Sequence, residues 1–387
     1  MFTPKSSSGN LPVLFWIHGG GWEFGSGMIP LYWGNNIAND LTGVILVTIN
    51  YRLGALGYLT LPNLGAFNFG FSDQQLALRW VNTNIRAFGG DPSRVTIAGQ
   101  SAGGISVATH VTTPSSFPYF SQAIVESGPP MLYYPTAAER FSFGDQFSSH
   151  LGCDSTNVTC LRTAPVENVL AAQAKIIPLP IPLPLVTDPN AIIFWLPVID
   201  GEILLASPQT LINQNKTANV PMIWGTTRNE TAGYAEALLP QFPISLEYNA
   251  ILDILFGKEN ATIVENMYPA STPKGITTQL SQLSADYIFT CSIRWSLRAY
   301  TNAGNPTYKY VFLHPPSTDP RCNGTVSHCA DIKQTCHGTI RFYFTSHFPF
   351  TDCIYKYKER NWIMYLTLLA MLVHLSLQRK PLCLLKF

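Results

Sequence analysis

The sequence predicts a doubly wound, mostly parallel α/β sheet with helices on both faces. Three observations carry that reading. The run "LPVLFWIHGGGW" (residues 11–22) is apolar until it stops in three glycines, "GVILVTIN" repeats a buried β-branched run before a turn, and "VTIAGQSAGG" passes from strand to helix through a single serine. Continuous apolar runs belong to parallel strands buried on both faces, whereas a strand with one wet face alternates.

Each element follows in order. The first run predicts a central strand, and Gly19-Gly20-Gly21 after it favours neither helix nor strand, which suits a loop whose N–H groups approach a ligand. A second strand is predicted over Val44–Ile49. The segment "NFGFSDQQLALRWVNTNIRAFGGDP" predicts an amphipathic helix with Leu76, Leu78, Trp80 and Val81 among its apolar positions. Val95, Thr96 and Ile97 then form a short strand, with a helix from Gly104 onward. Between them "GQSAG" leaves almost no room to turn, so Gly99 and Gly103 must lack side chains and Ser101 is forced into a strained, exposed position at the carboxyl edge of the sheet. A serine held that way reads as a nucleophile. Further on, a strand over Val220–Trp224 opens into a polar loop carrying Glu230, and "PTYKYVFLH" supplies a later strand.

Composition bounds the function. With 387 residues, 46% of them hydrophobic, the chain can build a large core. Lys+Arg 24 against Asp+Glu 23 leaves a net charge of +1 with no basic stripe, which argues against a nucleic-acid partner. Sequons stand at Asn157, Asn215, Asn229, Asn260 and Asn323. Cys153 and Cys160 flank a short polar spacer, and the remaining candidates for disulfides are Cys291, Cys322, Cys329, Cys336 and Cys353, with connectivity open. A zinc site built on His328, Cys329, Cys336 and His337 fits poorly, because the two cysteines are not at the usual two-to-four-residue spacing.

The longer stretch "FGGDPSRVTIAGQSAGG" (88–104) resembles the signature of the carboxylesterase/cholinesterase family, the type-B carboxylesterases of the α/β-hydrolase fold. The strand and glycine loop before it, "CLRT" and "FWLPVIDGEIL" are similar to further family landmarks. The resemblance implies hydrolysis of a small-molecule carboxylic ester without a cofactor, with Ser101 as nucleophile. It implies oxyanion donors at Gly20, Gly21 and Ala102, and a triad acid at Glu230, although "RNET" departs from the family's acid motif. For the base it implies His328, in "VSHCADI", which keeps the family's register while Ser327 and Cys329 replace its cysteine and glycine. His337, in an intact "CHG", is the alternative. Chain order Ser, Glu, His agrees with this assignment. A matching "GC…CLR" context implies a bridge between Cys153 and Cys160, and a triad acid at Glu230 needs a partly buried setting with no room for a glycan, so Asn229 is expected to carry none. Trp22 is expected to help form an apolar substrate pocket.

Secretion follows from the resemblance, although "MFTPKSSSGNLP" contains no apolar leader and is similar to the end of a family strand. The expectation is a catalytic domain over 1–345, incomplete at its amino end and for that reason poorly soluble or weakly active alone, and a divergent tail over 346–387. Within the tail, residues 362–377 are mostly apolar, too few for a comfortable membrane span, so a buried or partner-seeking helix ranks above a membrane anchor. The sequence leaves the oligomeric state open. The rival reading is a catalytically inactive binding or adhesion module, or a non-functional fragment. An intact serine turn and glycine loop argue against it.

Overall fold

The computed structural model describes residues 1–5, 9–40, 43–65, 67–132, 134–176, 193–233, 248–270, 273–313 and 327–328. Among these, six strands form one sheet: β1 (Leu11–Ile17), β2 (Ile45–Thr48), β3 (Gly90–Gln100), β4 (Gln122–Glu126), β5 (Met222–Thr227) and β6 (Thr307–Phe312). Their order is β2-β1-β3-β4-β5-β6, and every adjacent pair is parallel. The doubly wound sheet expected from the apolar runs is what forms.

The runs are continuous because alternate residues fill two separate cores. From β1, Val13, Phe15 and Ile17 join Ile45, Val95, Ile97, Val125 and Trp224 on one face, against the helices Phe69–Asn84 and Ala102–Thr112. Leu14 and Trp16 turn the other way, to Leu46, Ala98, Ile124, Tyr310 and Phe312. A period of two along each strand produces both faces from one sequence.

Three expectations need correcting. The strand expected at Val220 begins at Met222, since Pro221 has no N–H to enter the ladder. It continues to Thr227, where Thr227 pairs with Phe312. The Phe69–Asn84 helix buries Gly70, Phe71, Gln74, Leu78 and Val81, while Leu76 and Trp80 face outward at 64% and 47% exposure. The helical period selects Gln74 for the inner face because its amide has polar partners there. Trp80 instead packs on Phe88 with ring centroids 6.0 Å apart. Cys291 is a free, exposed thiol; Cys322, Cys329, Cys336 and Cys353 lie outside the described residues, as does the 346–387 tail. Among the described residues no helix is long and apolar enough to cross a membrane.

Cys153 and Cys160 are joined by a disulfide across a sequence separation of 7. A loop that short restrains the unfolded chain modestly, by about 2–3 kcal/mol on chain entropy. Cys153→Ser with Cys160→Ser is therefore expected to lower the thermal midpoint by a few degrees and leave the fold intact, as measured by circular dichroism; an unchanged midpoint would remove the bridge from the account.

Between the Phe69–Asn84 and Ala102–Thr112 helices, both on the first face, sits a fully buried imidazole. His110 stacks on Phe71 at 4.3 Å, and its ring nitrogens meet Ser116 Oγ (2.9 Å) and Gln74 Oε1 (3.2 Å). Burial pushes it down to about 3 from its ordinary 6.5. Below pH 6.5 the unfolded chain takes up a proton that the folded chain excludes, so the stability this group contributes is full above 6.5 and is lost as pH falls toward about 3. Urea midpoints measured across that window should fall less steeply with acid for His110→Gln than for the parent. Parallel slopes would contradict this.

Candidate active site

The carboxyl ends of β1, β3, β4 and β5 converge, and each strand delivers one part of the site there. β3 ends at Gln100, and Ser101 follows with φ 56° and ψ −126°, a backbone conformation that L-residues rarely adopt. Two hydrogen bonds hold it: the Ser101 N–H donates to the Glu126 carbonyl (2.9 Å), and its own carbonyl accepts from Ile105 N–H (2.8 Å). Gly103 is required because a Cβ there would stand 2.0 Å from the Ile17 carbonyl oxygen. The helix Ala102–Thr112 thereby packs backbone to backbone on β1. Ala102 occupies its first turn, where N–H groups have no partner within the helix.

After β1, the glycine loop turns through Gly20 (φ 116°), Gly21 (φ 61°) and Trp22 (φ 58°). Glu23 and Phe24 donate their N–H groups back to the Gly20 carbonyl at 3.0 and 3.1 Å. A side chain at Gly20 would sit 2.1 Å from the Phe24 carbonyl oxygen, so the tight turn excludes one. Trp22 does not line an open pocket as the sequence suggested. It is 0% exposed, because its indole N–H has a buried acceptor in Ser106 Oγ at 3.0 Å.

Glu230, in the loop after β5, is also 0% exposed. A buried carboxylate needs every lone pair answered. Its Oε1 accepts from the Thr227 N–H (2.7 Å) and from Ser127 Oγ (2.7 Å), and its Oε2 lies 2.6 Å from His328 Nδ1. Ser127, just past β4, has φ 48° and is tied to β5 by its N–H to the Gly225 carbonyl (2.9 Å). Sequence reasoning did not single it out. A positive φ in a serine after a strand leaves little trace beyond the neighbouring "SGPP" turn residues.

His328 reaches this edge through a backbone bridge between Ser327 and Asn229, next to Glu230. Its other nitrogen, Nε2, is 3.0 Å from Gln100 Nε2. An amide nitrogen can only donate, so His328 Nε2 accepts. Its Nδ1 then carries the proton and gives it to Glu230. One tautomer is selected from both sides, with Gln100 immediately preceding Ser101 in the chain. The Phe289 ring lies 5.4 Å from the imidazole and closes that side. His337 lies outside the described residues.

A half-buried serine in a strained turn, a paired imidazole and a buried carboxylate, gathered at the carboxyl edge of a parallel sheet, make an arrangement of the kind serine hydrolases use. A sequence model of the carboxylesterase family matches residues 1–374. The chain is 35% identical over 359 residues to the cAMP-regulated D2 protein of Dictyostelium discoideum, covering 90% of this chain and 63% of that protein. To the para-nitrobenzyl esterase of Bacillus subtilis (strain 168) it is 36% identical over 330 residues, 83% of this chain and 63% of that one. The cholinesterase of Mus musculus is 30% identical over 344 residues, 83% of this chain and 55% of the enzyme. A solved PNB esterase superposes with a TM-score of 0.69 at 28% identity, covering 88% of this chain and 77% of that one. The chain belongs to the carboxylesterase family and has the α/β-hydrolase fold. It spans about three-fifths of the length of the D2 protein and the para-nitrobenzyl esterase.

Proposed function

We propose that this protein hydrolyses carboxylic esters of small molecules through Ser101, His328 and Glu230. The observation that carries the reading is the imidazole held between Glu230 and Gln100, the residue that immediately precedes Ser101, with Nε2 presented as an acceptor. Ser101 Oγ attacks the acyl carbonyl while His328 Nε2 takes its proton; Gln100 yields that lone pair as the hydroxyl arrives. Glu230 accepts the Nδ1–H throughout and balances the imidazolium that forms. The tetrahedral oxyanion is met by the N–H groups of Gly20, Gly21 and Ala102, each donor contributing on the order of 3 kcal/mol to lowering the barrier. Collapse expels the alcohol, which takes the proton from His328. Water then enters, is deprotonated by the same nitrogen, and releases the acid from Ser101.

Family membership and relatives described as esterases support the ester bond as target. Secretion rests on the bridged Cys153–Cys160 pair and on its chain context. The test is p-nitrophenyl ester turnover together with labelling by a fluorophosphonate. One label per chain, located on the Ser101 peptide by mass spectrometry, is expected. Folded protein that neither turns over the ester nor takes the label would sink the reading in favour of a binding module.

A further inference from the structure

Five buried side chains form a directed chain of hydrogen bonds that ends at the nucleophile-bearing helix. Ser116 Oγ donates to His110 Nδ1 (2.9 Å), His110 Nε2 to Gln74 Oε1 (3.2 Å), Gln74 Nε2 to Ser106 Oγ (3.3 Å), and Ser106 Oγ to the Ala102 carbonyl (2.8 Å). The direction is forced, because Gln74 gives its amide N–H to Ser106 and so turns its carbonyl oxygen to His110. Trp22 joins at the fourth member, its indole N–H donating to Ser106 Oγ at 3.0 Å. Ser106 is thereby saturated: one hydroxyl proton given, two lone pairs filled. None of the five is more than 1% exposed where it meets the chain, and none carries charge there: burial holds His110 neutral.

The arrangement adds a side-chain tie, beyond the contact of β1 with the first turn of the helix, between two segments distant in the chain. Trp22 and Ser106 are 84 residues apart. One follows directly on Gly20 and Gly21, in a loop with three successive positive φ values and no strand partner. The other lies one helical turn beyond Ala102. A buried tryptophan at φ 58° is strained by about 1–3 kcal/mol and persists only where its surroundings hold it. Here the Gly54 N–H on its carbonyl (2.7 Å), the Tyr58 edge (6.4 Å) and Ser106 do so.

We propose that Trp22 and Ser106, backed by Gln74 and His110, are positioning residues that clamp the glycine loop to the first turn of the Ala102 helix and so fix the spacing of the oxyanion donors. The inference rests on the oxyanion role of Gly20, Gly21 and Ala102. Donors of this kind act within about 2.7–3.1 Å of the oxygen, so a loop that drifts by a fraction of an ångström weakens transition-state binding without altering substrate binding.

The experiment compares Trp22→Phe and Ser106→Ala, singly and together, on a matched pair of p-nitrophenyl substrates, an ester and its thionoester. A C=S sulfur is larger and accepts hydrogen bonds poorly, so a working oxyanion hole favours the oxygen substrate. Each single variant is expected to lose about tenfold in kcat on the ester at a KM within about twofold, and the oxygen-over-sulfur preference should contract in step. The double variant should be no worse than the worse single one, because both break one clamp. Trp22→Phe keeps the ring in its site and reads the clamp even if Ser106→Ala fails to fold. Equal losses on both substrates, an unchanged kcat, or multiplying losses in the double variant would overturn the clamp. A parent enzyme indifferent to oxygen and sulfur would instead overturn the oxyanion reading on which it stands.

Discussion

Replacing Ser101 with glycine is expected to abolish ester turnover while making the protein more stable. Removal of a serine nucleophile from a hydrolase triad lowers kcat by on the order of 10⁶-fold, so residual turnover should fall near the background rate, and the fluorophosphonate label should vanish with it. Stability moves the other way because Ser101 is held at φ 56° and ψ −126°, where a Cβ is crowded and glycine is not. The relief is about 1 kcal/mol, read as a rise in thermal midpoint for Ser101→Gly over Ser101→Ala, which keeps the Cβ. Two inactive variants that differ in midpoint would separate the chemistry of the residue from the strain of its turn. Equal midpoints would show that the turn is relaxed.

Glu230→Gln carries the second large effect, and it should act through the proton on His328. The substitution preserves shape, and its carbonyl oxygen can still accept from Thr227 N–H and Ser127 Oγ, both at 2.7 Å in the parent. Its NH₂ then faces His328 Nδ1, which lies 2.6 Å from the carboxylate oxygen in the parent. Two donors cannot share that contact, so the imidazole moves its proton to Nε2 and loses the lone pair that the serine hydroxyl needs. A loss in kcat on the order of 10⁴-fold is expected, as for the equivalent change in other triads, with a small change in KM. Imidazole nitrogen chemical shifts would report the exchanged tautomer directly. An enzyme keeping more than a tenth of its kcat would show that Glu230 does not orient the base.

The parts of the site that were legible in the sequence are those a short segment encodes by itself. Glycines at 99 and 103 state that two backbones touch, and the touching forces the angle at Ser101, so five residues specify a geometry. Glu230 and His328 were nominated by the family resemblance, with the chain order Ser, Glu, His in agreement and each lying after an apolar strand. What escaped notice depends on partners far away in the chain. Ser127 matters through a carboxylate 103 residues on. Gln100 became informative only through the imidazole it touches. Trp22 reads as a pocket wall until Ser106 supplies an acceptor in the core. The inner face of the Phe69–Asn84 helix was misread for the same reason: hydrophobicity alone nominates Leu76 and Trp80, and a polar network claims Gln74 instead.

The single backbone bridge that brings Ser327 and His328 to Asn229 bears on the order of events at the ribosome. Once residue 312 has emerged, the six described strands and the serine turn are available to fold. His328, however, comes 16 residues after Phe312 (328 − 312), a delay of roughly 1–3 s at ordinary rates of synthesis. Throughout that interval a nascent chain holds a formed nucleophile turn and no base to activate it. On the proposed triad, hydrolytic competence follows chain progress rather than the folding of the sheet, and a nascent chain arrested with residue 312 just outside the ribosome should be structured, protease-resistant and chemically silent.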